Sequence, residues 1–294
     1  MSPPPAPPPA PPLAPEWQDW IAGNVLRGCI DADMLSAMRE QGFEAHYAQT
    51  AIAVVRSMTE RVQQADPAAL TPYTADPPRL AEANRLQAGD REVSVLFSVR
   101  DPNVALIDGL LSAQECEQLI ALSTGKLRRS EVVANDGTLG ISGVRSSEGT
   151  HFAHAENEIV DRLERRISAL FDKPVAHGEP LQILHYGCGG EYLPHHDYFD
   201  PGQPGSRVHL ANGGQRVATV VVYLNDVESG GETRFPQLEL AVRPRRGAAV
   251  CFEYANAAGG LDSRLLHAGA PVIRGDKWIA TKWLRAGAWG AAKP

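Results

Sequence analysis

The sequence predicts an α+β protein whose main body is an antiparallel β sandwich or jelly roll with helices packed on the outside. Two amphipathic helical segments are followed, from residue 181 onward, by many short apolar strand-like runs separated by Gly and Pro turns. Hydrophobic residues make up 43% and charged residues 21% of the 294 positions. This balance is typical of a chain that buries a core, and it excludes a wholly disordered protein.

Three segments precede this body. Residues 1–16 hold nine prolines between Pro3 and Pro15, which predicts an extended, disordered tail. Residues 17–64 carry apolar side chains at spacings of three and four, as expected for a small region of about three short helices. Residues 65–92 contain four prolines and are expected to form a linker.

The main body is expected to span residues 93–290. Runs such as VSVLFSV at 93–99 and VATVVVYL at 217–224 predict strands. Ser112 and Glu115 form a capping-box pattern ahead of a helix at about 116–122. A second helix is predicted at about 155–171, because Ile159, Leu163 and Ile167 fall on one face of it.

Charge and cysteine usage narrow the class of protein. The 28 basic and 35 acidic residues give a net charge of −7, so nucleic acid is a poor default partner. No apolar run approaches the roughly 18 residues that span a bilayer, and the first residues lack the basic and apolar parts of a secretory signal. The four cysteines lie far apart, which indicates reduced thiols. We therefore expect a cytoplasmic protein without a membrane partner.

The string Pro194-His195-His196-Asp197 is the first sign of chemistry. In a strand, residues i and i+2 point to the same face, so an imidazole and a carboxylate would lie side by side at His195 and Asp197. A metal needs a third ligand, and His267 is the best candidate. Two histidines and one carboxylate suit non-haem Fe(II), because they leave coordination positions open for a cosubstrate and O₂. Taken alone, the string also fits solvated turn residues.

Support comes from Lys277, which lies ten residues after His267 in the run GDKWIATKWL. A cation at this position could pair with the distal carboxylate of a keto acid that chelates iron through its other end. The alternative is an ordinary surface lysine in a turn. Its apolar neighbours Trp278 and Ile279 make a solvated position less favourable.

These residues resemble the prolyl 4-hydroxylase group of Fe(II)/2-oxoglutarate-dependent dioxygenases. The similar segments are LQILHYGCGGEYLPHHDYFD at 181–200, GGQRVATVVVYLNDVESGGETRFP at 213–236 and HAGAPVIRGDKWIATKWLR at 267–285, with VRSSEG at 144–149 as an earlier match. In total the resemblance covers about residues 99–285. The order and spacing of these segments argue against a chance match.

The resemblance implies a double-stranded β-helix fold and a set of site residues. His195, Asp197 and His267 would bind Fe(II), which is the catalytic centre. Three more residues would bind the cosubstrate 2-oxoglutarate, namely Lys277 at its far carboxylate, Tyr186 and Thr233. Three match positions that face the peptide substrate: Arg216, Tyr192 and Trp283. Each of these three also has a structural alternative, since Arg216 could pair with an acid, Tyr192 could cover the sheet and Trp283 could belong to the core.

The implied reaction is oxidative. O₂ and 2-oxoglutarate would be consumed, and succinate and CO₂ would be released as a C–H bond is hydroxylated. The resemblance also implies ascorbate as a reductant. The leading substrate is a prolyl residue in a peptide or protein. One alternative is a free amino acid or small metabolite. Another is a non-catalytic metal-binding or partner-binding module, in which the N-terminal segments would carry the function.

Overall fold

The computed structural model describes residues 13–26, 29–64, 73–80, 82–129, 132–133, 139–140, 146–203 and 205–290. Most of the expected proline-rich tail, part of the expected linker and residues 144–145 of the VRSSEG match lie outside these ranges. The chain divides into two compact units, one up to residue 72 and one from residue 73. Within the described ranges, no helix combines the length and apolarity needed to cross a membrane.

The described part of the N-terminal unit contains three helices, as the apolar spacing predicts. They are α1 (Pro15–Leu26), α2 (Asp31–Glu40) and α3 (Ala45–Gln64). Gly42 follows α2 with a φ of 89°, a left-handed conformation in which a side chain is unfavourable, and this lets the chain turn toward α3. The helices bury a small apolar core formed by Ile21, Val25, Met34, Met38, Ala48 and Ile52.

In its described residues, the C-terminal unit consists mainly of short strands, with two longer α-helices and one short one. In chain order its elements are β1 (Arg85–Ala88), β2 (Arg91–Arg100), β3 (Asn103–Asp108), α4 (Ala113–Thr124), β4 (Arg128–Arg129), β5 (Val132–Val133), β6 (Leu139–Gly140), β7 (Glu148–Phe152), α5 (Glu158–Phe171), β8 (Leu181–Tyr186), β9 (Tyr192–His195), α6 (Ser206–Leu210), β10 (Arg216–Tyr223), β11 (Ser229–Gly230), β12 (Thr233–Phe235), β13 (Leu240–Val242), β14 (Ala249–Glu253), β15 (His267–Gly269), β16 (Val272–Arg274) and β17 (Lys277–Arg285).

Two antiparallel sheets form the sandwich that the strand pattern predicts. The large sheet has the spatial order β1-β2-β3-β14-β10-β17-β8-β7-β4, and the small one has the order β13-β12-β15-β9. Two further pairs, β11 with β16 and β5 with β6, are separate. An apolar cluster that contains Phe235 and Val242 of the small sheet and Val221 and Ile279 of the large one fills the space between the sheets. This arrangement is the double-stranded β-helix.

The alternation of side chains along β10 separates two layers. Ala218, Val220 and Val222 pack into a core that also contains apolar residues of α4 and α5. Val221 and Tyr223 point the other way, into the space between the sheets. Because successive side chains of a strand alternate between faces, a strand buried on both sides reads as a continuous apolar run.

Both α4 and α5 begin directly after a capping residue, and the cap of α4 is the one that the sequence predicts. Ser112 accepts a hydrogen bond from the backbone N–H of Glu115, whose side chain accepts from the N–H of Ser112, which completes the capping box. Asn157 caps α5 by accepting from two backbone N–H groups in its first turn. Apolar residues of both helices share a core with Ala218, Val220 and Val222, so the helices pack on the face of the large sheet away from the small one.

The expected linker at 65–92 differs from the structure in its second half. Arg85–Ala88 form β1 and pair with β2, which already begins at Arg91. Leu86 and Ala88 are buried while Arg85 and Gln87 are exposed, so this short segment has the alternation of an edge strand. The four prolines that suggested a linker all precede it, and a run of four residues was too short for the alternation to stand out.

Candidate active site

The small sheet brings the two candidate histidines together. Strands β9 and β15 are antiparallel neighbours, and His267 is the register partner of His195. The centroids of the two imidazole rings are 4.4 Å apart. Asp197 lies two residues beyond the end of β9, with Oδ1 3.7 Å from Nε2 of His195 and Oδ2 3.5 Å from Nε2 of His267. One donor atom from each residue falls within 4.8 Å of the others, so the predicted triad exists as a cluster.

Main-chain carbonyls fix the orientation of both rings. Nδ1 of His195 donates to the carbonyl oxygen of Leu193 at 2.9 Å, and Nδ1 of His267 donates to that of Leu265 at 3.1 Å. A carbonyl only accepts, so each Nδ1 carries the proton and each Nε2 keeps its lone pair. This is the hydrogen bonding that metal-ligating histidines generally show.

Asp197 is held as a carboxylate inside the protein. Thr219 Oγ1 donates to Oδ2 of Asp197 at 2.7 Å and lies 3.0 Å from the hydroxyl of Tyr254, all within buried surroundings. Burial raises the pKa of Asp197, but His267 and His195, with Arg216 and the Thr219 hydroxyl, outweigh this and lower it. The carboxyl group is therefore ionised at neutral pH and presents an anionic oxygen beside the two imidazoles.

The donor set fits Fe(II). Imidazole nitrogens suit iron, and a 2-His-1-carboxylate group on one side of the ion leaves open positions on the other. His267 and Asp197 are buried, and His195 is half-buried, so a bound ion would be largely shielded from bulk water. His196, the histidine between the ligands, donates from Nε2 to the Ser263 carbonyl oxygen at 3.0 Å and stays outside the cluster.

Lys277 lies on the wall of the same cavity as the triad. Its side chain is 3% exposed, and within the described ranges no carboxylate lies at ion-pair distance from it. Burial lowers the pKa of this ammonium group to about 8, and the negative charge of Glu232 opposes the shift only in part. A buried cation without a partner is costly, and an anionic group bound beside Lys277 would offset that cost.

Thr233 and Tyr186 share this wall. Tyr186 is the register partner of Lys277 in the neighbouring strand β8, and its ring centre is 5.5 Å from the Lys277 Nζ. The hydroxyl of the buried Tyr223 donates to Thr233 Oγ1 at 2.8 Å. Since Thr233 accepts this bond, its own O–H remains available to donate into the cavity.

Aromatic rings form another part of the cavity wall. Tyr192 stacks on His195 with a ring-centroid separation of 3.6 Å, and Trp283 lines the cavity from β17. The indole Nε1 of Trp283 is buried, and no acceptor lies within reach of it among the described residues. A buried donor of this kind costs free energy unless a ligand accepts from it.

Arg216 is the one predicted site residue that does not line the cavity. Its Nε and Nη2 donate to the two oxygens of Glu179 at 2.6 and 2.9 Å, and its Nη1 donates to the Asp197 carbonyl at 3.1 Å. Its guanidinium centre also lies 3.9 Å from the Trp283 ring centre. The planar carboxylate of Glu179 matches the guanidinium fork and fixes the position of Arg216. Outside the cavity, Arg216 then supports Asp197 through its main chain and Trp283 through its ring.

Several supporting residues escaped the sequence analysis. They are Thr219, Tyr254, Glu179 and Arg285, the last of which donates to Glu179 Oε1 at 2.6 Å. The sequence could have singled out Thr219, because it is a polar residue inside the apolar run VATVVVYL. Glu179 and Arg285 had none, because their partners lie far away in sequence.

Comparison with known proteins agrees with this geometry. A sequence profile of the 2OG-Fe(II) oxygenase superfamily matches residues 181–285. The chain is 38% identical over 219 residues to a probable prolyl 4-hydroxylase 3 of Arabidopsis thaliana, covering 68% of this chain and 74% of that one. It is 37% identical to prolyl 4-hydroxylase 5 of the same plant, covering 66% and 72%.

A solved structure is similar as well. The viral collagen prolyl hydroxylase of Paramecium Bursaria Chlorella virus-1, crystallised as a 2OG complex, aligns with a TM-score of 0.50 at 31% identity, covering 62% of this chain and 96% of that one. Sequence, fold and the His-Asp-His cluster thus agree, and the chain belongs to the prolyl 4-hydroxylase group of the 2OG-Fe(II) oxygenase superfamily.

Proposed function

We propose that the enzyme hydroxylates a prolyl residue in a peptide or protein, with His195, Asp197 and His267 as the Fe(II) ligands. The observation that carries the proposal is the juxtaposition of this cluster with Lys277 on one cavity wall. A 2-His-1-carboxylate site and a buried, unpaired cation together match a cosubstrate that chelates the metal at one end and carries a carboxylate at the other.

The cosubstrate contacts follow from this placement. Lys277 binds the far carboxylate of 2-oxoglutarate, and the free O–H of Thr233 donates to it. Tyr186 lines the same wall, with its ring beside Lys277. Ile279 and Val221 complete the lining with apolar surface, which excludes water and strengthens these charged contacts.

When bound, Fe(II) supplies the oxygen activation that hydroxylates an unactivated C–H bond. The work of the chain's own residues is to bind, orient and exclude water. The carbonyls of Leu193 and Leu265 hold the His195 and His267 rings with Nε2 toward the metal. Thr219 fixes the Asp197 carboxylate, and the cavity wall holds the substrate C–H near the reacting centre.

A prolyl substrate is supported by the aromatic part of the wall and by the relatives. Tyr192 and Trp283 offer flat apolar faces to a pyrrolidine ring, and the unpaired Trp283 Nε1 is placed to donate to a peptide carbonyl. Arg216 contributes by holding Trp283 and the Asp197 main chain. The plant and viral relatives are named as prolyl hydroxylases. We also propose an intracellular location, in which the four free thiols stay reduced.

The proposal is tested with purified enzyme, Fe(II), ascorbate, O₂ and 2-oxoglutarate. Succinate release is measured with prolyl peptides of increasing length and with free proline, and products are identified by mass spectrometry. Oxygen incorporation into proline of a peptide is the expected result, and modification of free amino acids alone would contradict it. His267→Ala abolishes turnover without unfolding the sandwich, because an open catalytic metal site does not hold the core together.

A further inference from the structure

The proline-rich segment at the start of the chain has no part in the site described above. Eight of residues 3–12 are proline, and residues 2–14 carry no charged side chain. We propose that this segment is a substrate of the enzyme's own active site, which hydroxylates one or more of these prolines. The inference rests on the proposed function and identifies one substrate, a chain of this same protein.

Three prolines of the C-terminal unit are poor competitors for the active site. The carbonyls of Pro174, Pro236 and Pro271 accept backbone hydrogen bonds from His177, Glu239 and Gly231 at 2.8 to 3.2 Å. A proline tied into the fold in this way cannot enter a cavity as an extended peptide. Residues 3–12 are therefore the densest run of candidate prolyl residues in the chain.

The substrate side of the cavity matches this segment in chemistry. The charged groups on the cavity wall are those assigned to metal and cosubstrate, Asp197 and Lys277. The uncharged part of the wall includes the aromatic residues Tyr192 and Trp283, with the unpaired indole N–H as a donor. Aromatic surfaces with a few donors are the common way in which proteins bind uncharged, proline-rich peptides, whose carbonyls accept and whose rings pack on aromatic faces.

Covalent attachment favours this substrate. The segment joins the N-terminal unit at Leu13, which packs against that unit's core and whose carbonyl accepts from Gln18 Nε2 at 2.7 Å. Every molecule thus carries its prolines at a constant ratio of one segment to one active site. Where the connection is long enough to span the distance, tethering raises the effective concentration of the segment at the active site to about the millimolar range. Where it is not, the segment of one molecule can enter the active site of a second copy.

The reaction balances with the reactants of the proposed function. One proline ring C–H bond is broken and a C–O bond is formed. One atom of O₂ enters the proline hydroxyl group and the other enters succinate. The two-electron oxidation of proline and the oxidative decarboxylation of 2-oxoglutarate to succinate and CO₂ together reduce one O₂.

The experiment uses the full chain after metal removal, reconstituted with Fe(II), ascorbate and 2-oxoglutarate in air. Trypsin releases residues 1–27 as one peptide, because Arg27 is the first basic residue. Fragmentation mass spectrometry should locate one added oxygen atom per modified proline between residues 3 and 12, only when 2-oxoglutarate is present. His267→Ala chain alone should remain unmodified. Isotopically labelled His267→Ala chain mixed with wild type reports transfer to a second copy.

A synthetic peptide of unrelated sequence with several prolines is included in the same reaction. Modification of this peptide together with an unmodified N-terminal segment, in both the wild-type and the labelled acceptor chains, would overturn the inference and leave the proposed function standing. Turnover of 2-oxoglutarate with no prolyl product at all would overturn both. A matched variant with alanine in place of the eight prolines should hydroxylate the synthetic peptide as wild type does, with loss of the N-terminal signal.

Discussion

The imidazoles of His195 and His267 face each other because β9 and β15 are antiparallel neighbours that are in register at these two residues. A slip of one residue would turn one ring to the opposite face of the small sheet. The register of two short strands therefore determines whether an iron site exists. The hydrogen bonds from each Nδ1 to a carbonyl two residues earlier then set which nitrogen faces the metal.

The Thr219 hydroxyl should tune metal affinity, because it donates to Asp197 Oδ2. Thr219→Val keeps the shape of the side chain and removes this bond, and loss of such a supporting contact typically weakens metal binding or activity by roughly 10- to 100-fold. Titration with Mn(II), followed by calorimetry, measures the effect. Thr219→Ser retains the hydroxyl and is the matched control. Equal metal affinity of the Val and Ser variants would contradict this role.

The binding of 2-oxoglutarate should weaken as the pH rises through about 8, the pKa that burial gives Lys277 in the free enzyme. Only the protonated ammonium group attracts a carboxylate, so the apparent KM for 2-oxoglutarate should increase above this pH. Lys277→Arg keeps its charge across the range and should show a flatter profile, whereas Lys277→Ala should have a high KM at every pH. Steady-state succinate assays provide the measurement, and an unchanged KM in Lys277→Ala would remove the residue from the site.

The same burial should make Lys277 destabilising in the absence of ligand. The pKa is lowered from 10.5 to about 8, and each unit corresponds to about 1.4 kcal/mol, so Lys277→Met should stabilise the free protein by up to about 3 kcal/mol at pH 7. The unfolded chain binds the proton more tightly, so this difference should shrink as the pH rises from 8 toward 10.5. Urea unfolding at several pH values measures it. Saturating 2-oxoglutarate and metal should stabilise wild type more than the variant.

The triad was predictable from the sequence, whereas most of its support was not. The His-x-Asp string can be recognised from residues that are close together in the sequence, and so can a histidine that is followed by a lysine ten residues later. The Glu179 contacts join three segments, and nothing in the neighbourhood of Arg216 indicates whether it faces a substrate or an acid. The alternation of apolar residues likewise predicts strands but not their partners, which is why the strand order of the large sheet had to be observed.

The Trp283 indole N–H should act in substrate binding and not in cosubstrate binding. Trp283→Phe keeps an aromatic face for Arg216 and for the substrate but removes the unpaired donor. We expect the KM for a prolyl peptide to rise by about 5- to 20-fold, the size of one buried hydrogen bond. The KM for 2-oxoglutarate should stay near its wild-type value. Equal changes in both constants in succinate assays would show that the indole acts on the whole cavity.

Glu179 should be the most sensitive position for stability among the residues that support the site. It accepts from both Arg216 and Arg285, and all three side chains are largely buried. Burial raises the pKa of Glu179, but the two guanidinium groups outweigh this and lower it, so the carboxylate is ionised at neutral pH. Glu179→Ala leaves two buried cations without their partner, a loss that typically destabilises a protein by about 3 to 5 kcal/mol.

Urea unfolding of Glu179→Ala tests this, with Glu92→Ala as the control. The Glu92 carboxylate pairs with Arg85 on the exposed edge of the large sheet, where such a pair contributes at most about 1 kcal/mol. Because the pKa of Glu179 is lowered by folding, its stabilising effect is present above the unfolded pKa and is lost as the pH falls through the folded one. The difference in free energy of unfolding between wild type and Glu179→Ala should therefore become smaller at acidic pH. A difference as small as that of the control at pH 7 would show that the Glu179 carboxylate does not stabilise the buried guanidinium groups of Arg216 and Arg285.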